Sequence, residues 1–184
     1  MIYLWESPDN YPEKLVGEYD RQRSPDRFLM QEGTPVEMGD TYVEFEAKAS
    51  WVRKFDALAT NAMVPLVSPR IQEVLLRLAP DQVQFVPAHI TTRDEEISGY
   101  VYVVATKQVV GLDHEASEYS YIADTTAIMG FEKIRYKEDC LGELHIARDA
   151  EYLPHILISK TLRDALEDLH VGGLGLYRPE DMWI

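Results

Sequence analysis

Two serine-led helical stripes, far apart in the chain and alike position for position, constrain its fold more than any other feature. Ser68-Pro69 offers an N-cap hydroxyl followed by proline at the first helical position, where a missing N–H costs nothing. Ile71, Val74, Leu75 and Leu78 follow at i, i+3, i+4 and i+7, the apolar face of an amphipathic helix over Ser68–Ala79. Near the C-terminus Ser159 leads Leu162, Ala165, Leu166 and Leu169 at the same spacing, which predicts a second helix over Ser159–His170. Leu66-Val67 and Leu157-Ile158 precede the two serines. Val83 with Phe85, and Leu174 with Leu176, come after the helices, and a proline follows each pair, Pro87 or Pro179. Gly172-Gly173 supply a left-handed stop to the second helix. Either the chain repeats a strand–helix–strand module, each copy packing its helix on its own stretch of sheet, or any such unit would match as well by chance.

The remaining patterning favours strands. Ile2–Trp5 reads as a short buried strand, and Thr41–Glu46 alternates Tyr42, Glu44 and Glu46 against Val43 and Phe45. Ile97–Val104 is the strongest strand signal, with further strands through Val109-Val110, Phe131–Tyr136 and Glu143–Ile146. The expected class is α+β: mostly antiparallel or mixed twisted sheets with two principal helices. One domain is expected over residues 1–184, its first sixty residues rich in strands and loops and residues 61–184 forming the core.

Composition narrows the function. With 46% apolar and 27% charged residues, wholesale disorder is excluded. Eighteen basic against 32 acidic side chains leave a net charge of −14, wrong for a general nucleic-acid binder or for docking on anionic lipid. No run approaches about 18 uninterrupted apolar residues. The segment Met1–Glu6 has no basic head and meets a carboxylate too early for a secretion signal. Cys140 is the one cysteine, so no internal disulfide can form. The expectation is a cytoplasmic protein.

Catalytic and cofactor motifs are missing. The sequence contains no GxxxxGK[ST], GxGxxG or Gly-x-Ser-x-Gly. Its five histidines include no i, i+4 pair on a predicted helix, so no metal and no cofactor is expected. His145 and His155 lie on predicted strands that could meet. Asp113-His114 with Ser117 is the nearest approach to a hydrolase site, but neighbours on an extended chain point to opposite faces. Turn capping by Asp113 and Ser117 is the plainer reading. Cys140, among Glu138 and Asp139, is expected to be an unreactive structural thiol. Charge is then the functional feature: Asp94, Glu95 and Glu96, with Asp113, Glu115 and Glu118, are the candidate contacts for a basic protein partner. Eleven tyrosines could supply anchors for such an interface. A homo-oligomer stays open.

Several of these features resemble an immunity protein family of bacterial polymorphic toxin systems, the family numbered eleven. They are Pro65-Leu66-Val67-Ser68 with its helix and the strand ending near Pro87, the Tyr100–Val104 strand, Leu112-Asp113 with Ser117, and Ile156-Leu157-Ile158-Ser159 with Gly173 behind it. The resemblance runs from about Thr41 to Tyr177. It implies no catalytic residue. It implies a cytosolic antidote encoded beside a toxin and acting by binding, so the expectation is neutralisation of a cognate, basic toxin by steric and electrostatic blocking. The alternatives are a hydrolase using Asp113, His114 and Ser117, or an acidic adaptor.

Overall fold

The computed structural model describes residues 1–33, 35 and 39–182. Both expected helices form. Helix α3 spans Pro69–Leu78 and buries Ile71, Val74 and Leu75; α4 spans Lys160–Glu167 and buries Leu162 and Leu166. Each of those side chains contributes about 1.5–3 kcal/mol by leaving water. Two shorter helices, α1 (Arg27–Gln31) and α2 (Ala49–Val52), lie in the N-terminal part.

Among the described residues, fourteen strands carry the rest of the core. In chain order these are β1 (Ile2–Glu6), β2 (Glu18–Tyr19), β3 (Thr41–Glu44), β4 (Ala57–Leu58), β5 (Leu66–Val67), β6 (Val83–Thr91) and β7 (Glu96–Ile97). Then follow β8 (Val101–Ala105), β9 (Gln108–Val109), β10 (Glu118–Tyr121), β11 (Ile128–Lys133), β12 (Ile146–Asp149), β13 (Ile156–Ser159) and β14 (Gly175–Tyr177). A seven-stranded sheet runs β2-β3-β6-β8-β5-β4, with β7 paired to β6. A five-stranded sheet runs β14-β1-β13-β12-β9, and β10 with β11 makes a separate two-stranded ribbon. Pairing is antiparallel except at β3/β6 and β9/β12, so the α+β class holds.

The repeat is real, and it extends to hydrogen-bond register. Strands β4-β5-β8-β6 of one sheet correspond to β12-β13-β1-β14 of the other, and each helix connects the strands on either side of an inserted antiparallel one. Leu66 pairs with Tyr102 as Leu157 pairs with Leu4; Val67 pairs with Val101 as Ile158 pairs with Tyr3. On the other side Phe85 faces Val103 as Leu176 faces Trp5, and Gln84 faces Val104 as Gly175 faces Glu6. The inserted strand of the first module follows its own β6, whereas that of the second is the N-terminal strand.

The halves also grip each other reciprocally. The amides of Asp56 and Ala57 donate to the Gly172 carbonyl, while those of His145 and Ile146 donate to Oε1 of Gln82. Alternation then sorts the side chains. Tyr3, Trp5, Val67, Val103, Ile146, Ile156 and Ile158 meet both helices in a shared core. Tyr102, Val104 and Leu66 face a second core closed by the N-terminal part, including Leu15, Met30 and Phe45.

Local expectations needed correction at several points. The Ser68 hydroxyl does not cap α3; it donates to Asp56 Oδ1 at 2.7 Å, whereas Ser159 does accept from the Leu162 amide. Helix α4 stops at Glu167, short of His170, which itself adopts φ 50°. Gly99, at φ 94°, breaks Ile97–Val104 into β7 and β8, because no extended strand accommodates that angle. The strands placed at Phe131–Tyr136 and Glu143–Ile146 lie about three residues away, at β11 and β12.

Candidate functional site

The hydrolase constellation does not assemble. Asp113 Oδ1 accepts the amides of Glu115 and Ala116, and the Ser117 hydroxyl exchanges hydrogen bonds with the Arg135 backbone. Both residues pin turns. His114 turns elsewhere, Nδ1 to Tyr119 Oη at 2.6 Å and Nε2 to Glu151 Oε1 at 2.7 Å, and so ties the ribbon to the β12–β13 loop. His145 and His155 do not meet: His145 Nδ1 bonds Ser159 Oγ, and His155 bonds Tyr136.

The acidic candidates fall into two places. Asp94 lies in the β6–β7 turn and accepts from the Ala49 amide and the Thr92 hydroxyl. Glu95 there clasps Arg53 through both carboxylate oxygens, at 2.6 and 3.2 Å. Glu96 is exposed on β7. Asp113, Glu115 and Glu118 belong to the approach to the ribbon, where Glu118 lies 4.0 Å from Lys133. The ribbon bears exposed apolar side chains, Tyr121, Ile122 and Met129, the last 63% exposed. Its root is held by Phe131, which packs on Tyr119, Tyr152 and His155.

Beneath that root runs a buried polar chain which sequence spacing did not disclose. Tyr136 Oη donates to Asp149 Oδ2 at 2.5 Å and lies 2.9 Å from His155 Nδ1. With the hydroxyl proton on the Asp149 side, His155 serves as the Nδ1–H donor, a neutral tautomer. Burial pushes its pKa down to about 4 and raises those of Tyr136 and Asp149. Asp149 Oδ1 also holds the Glu151 amide. The chain fixes the β12–β13 loop. Beside it Arg148 is fully buried, with Nη1 on the Leu153 carbonyl and Nε and Nη2 without a partner among the described residues. Burial pushes its pKa down to about 10. Tyr136→Phe leaves Asp149 without that donor and is expected to cost about 2–3 kcal/mol, read as a lower urea midpoint at unchanged slope. Cys140 is half-buried; desolvation, then Asp149 and Asp139, push its thiol up to about 11, as suits an inert side chain.

A cleft of about 370 Å³ opens where the β4–β5 and β12–β13 loops approach the end of β1. Trp5, Glu6, Met63, Tyr152, Pro154 and His155 are among its lining residues. Met63 sits at its lip, 65% exposed and held at φ 57°. Such a conformation strains a non-glycine residue by about 1–3 kcal/mol. Glu6 carries no ion pair or side-chain hydrogen bond among the described residues, and burial pushes its carboxyl up to about 7. Among the described residues, no group of three or more His, Cys, Asp or Glu side chains could hold a metal ion. No described helix is long and apolar enough to cross a membrane.

Comparison with known families decides the assignment. The model of the Immunity protein family (Imm11) matches residues 7–181. The chain belongs to this family. No curated protein matches it. Membership in Imm11 suggests a role in toxin immunity, which implies binding to a cognate toxin. The match reaches back through the N-terminal segment, beyond the Thr41–Tyr177 stretch that carried the resemblance.

Proposed function

We propose that this Imm11 protein is a cytoplasmic antidote that binds a basic cognate toxin and blocks it sterically and electrostatically, without catalysis. The observation that carries this reading is the family match across residues 7–181. The net charge of −14 supports it, since a field of that sign accelerates encounter with a cationic surface. The ribbon supports it too: tyrosine and methionine side chains standing clear of the core are the kind that anchor interfaces. The separate engagements of Asp113, His114 and Ser117 weigh against the hydrolase alternative.

The test is titration of the purified protein with the toxin encoded beside its gene, together with rescue of toxin-expressing cells. A complex burying about 1,200–2,000 Å² is expected. No complex, or a complex that leaves the toxin active, sinks the reading. Asp94, Glu95 and Asp113 accept close hydrogen bonds within the fold, whereas Glu118 has only a long, exposed ion pair with Lys133, so a charge test uses Glu118 with Glu96 and Glu115. Reversing Glu96, Glu115 and Glu118 to lysine is expected to slow association about tenfold at low salt and to flatten its salt dependence, as read by stopped-flow. An unchanged association rate would remove these three carboxylates from the encounter.

A further inference from the structure

Glu6 stands out when the two modules are compared. Its partner across the sheet is Gly175, and the corresponding pair in the first module is Val104 with Gln84. Val104 is fully buried and apolar. One half of the fold therefore fills this position with valine, and the other places a carboxylate there, at the wall of the 370 Å³ cleft. A local rule broken with no compensating partner among the described residues marks a position kept for something other than stability. The same carboxylate borders an adjoining hollow of about 80 Å³, where Asp9, Tyr177 and Asp181 also line the wall. Among the described residues, neither space is lined by a lysine or arginine.

The rest of the cleft suits a flat cation. Tyr152 offers aromatic surface, and Met63 gives an adaptable apolar lip. A guanidinium stacks on aromatic faces and pairs with carboxylate in two-pronged fashion, which an ammonium does not. We propose that this cleft receives an arginine side chain of the toxin, with Glu6 as its counter-charge and Tyr152 and Met63 as its walls. The proposal rests on the toxin-binding reading and names the anchor of that complex.

Ionisation of Glu6 near neutrality gives the site a pH signature. The other titratable groups on these walls are His155 and Tyr152 in the cleft, and Asp9, Tyr177 and Asp181 in the hollow. Burial keeps His155 neutral above about pH 4. A carboxyl half-ionised near pH 7 is about one-tenth ionised at pH 6 and nine-tenths at pH 8, so affinity for a permanent cation should rise about tenfold between them.

The probe is Nα-acetyl-arginine methyl ester, with Nα-acetyl-citrulline methyl ester as its uncharged isostere, titrated into full-length protein carrying ¹³C-methyl methionine. The Met63 methyl signal, assigned through Met63→Leu, is expected to shift saturably with the arginine ester only. The shift should need less ester at pH 8 than at pH 6 and vanish in Glu6→Gln. In the toxin complex, Glu6→Gln is expected to raise Kd at least tenfold. Equal shifts from the two esters, or unaltered toxin affinity in Glu6→Gln, overturns this proposal alone. Failure of the toxin to bind the wild-type protein overturns the proposed function and this proposal with it.

Discussion

Glu6→Gln is expected to stabilise the free protein at pH 8 by about 2–3 kcal/mol, raising its thermal midpoint by roughly 5–10 °C. The direction follows from where the proton sits. The folded chain holds the Glu6 proton up to about pH 7, against an ordinary 4.5, so folding favours the neutral carboxyl. Its stabilising effect is complete below pH 4.5, fades as pH climbs toward 7, and is gone above. Glutamine mimics the neutral form at every pH. His155 works in the opposite sense: its folded value of about 4 lies below the ordinary 6.5, so stability is full above 6.5 and is lost as pH falls toward 4. Between pH 4.5 and 6.5 the two slopes nearly cancel. Wild-type urea midpoints should therefore stay level across that interval, while those of Glu6→Gln climb with pH. Equal midpoints for the two proteins at pH 8 would mean that Glu6 is no worse placed folded than unfolded.

Gly173→Ala is expected to destabilise the protein by at least about 3 kcal/mol, lowering the midpoint by roughly 6–12 °C. Gly173 adopts φ 84°, and a Cβ there would lie 2.1 Å from the Ala57 carbonyl oxygen and 3.0 Å from the Phe55 ring. The turn after α4 presses on β4 of the other module at the point where the Gly172 carbonyl accepts its two amides. A methyl group cannot enter without parting the halves. Gly142→Ala separates strain from collision, because Gly142 also has positive φ, 54°, yet nothing lies within 4 Å of its would-be Cβ. It is expected to lose only about 1 kcal/mol. Equal losses from the two substitutions would refute the close approach at Gly173.

Short-range signals made the helices and the repeat legible. Serine, proline and an apolar stripe act within a turn or two, and α3 and α4 begin where those signals place them. The match between Leu66-Val67 and Leu157-Ile158 reflects shared register against an inserted strand, though the donor of that strand in the second module was not visible. Nothing local in Ile2–Glu6 says that it lies between β13 and β14, since pairing partners are chosen by packing across the whole chain. The break at Gly99 was missed because the apolar pattern of Ile97–Val104 outweighed the one residue in it that tolerates a positive φ. The site was less legible. Asp113, His114 and Ser117 drew attention by adjacency, but their partners are Glu115, Ala116, Arg135, Tyr119 and Glu151. Tyr136, Asp149 and His155 converge from three separate places along the chain. Glu6 in the sequence is one more acidic residue among 32, and only desolvation sets it apart.

The origin of β1 also orders events during synthesis. Residues 57–105 supply every strand of the first module and can pair as soon as they leave the ribosome. Strand β1 must instead wait for residues 157–159 to cover one of its edges and for residues 175–177 to cover the other. Until then the aromatic and aliphatic side chains of Ile2–Trp5 have no permanent shelter. Completion of the second module is thus tied to residues 175–177, and a translation product truncated before them would carry an orphaned, adhesive β1.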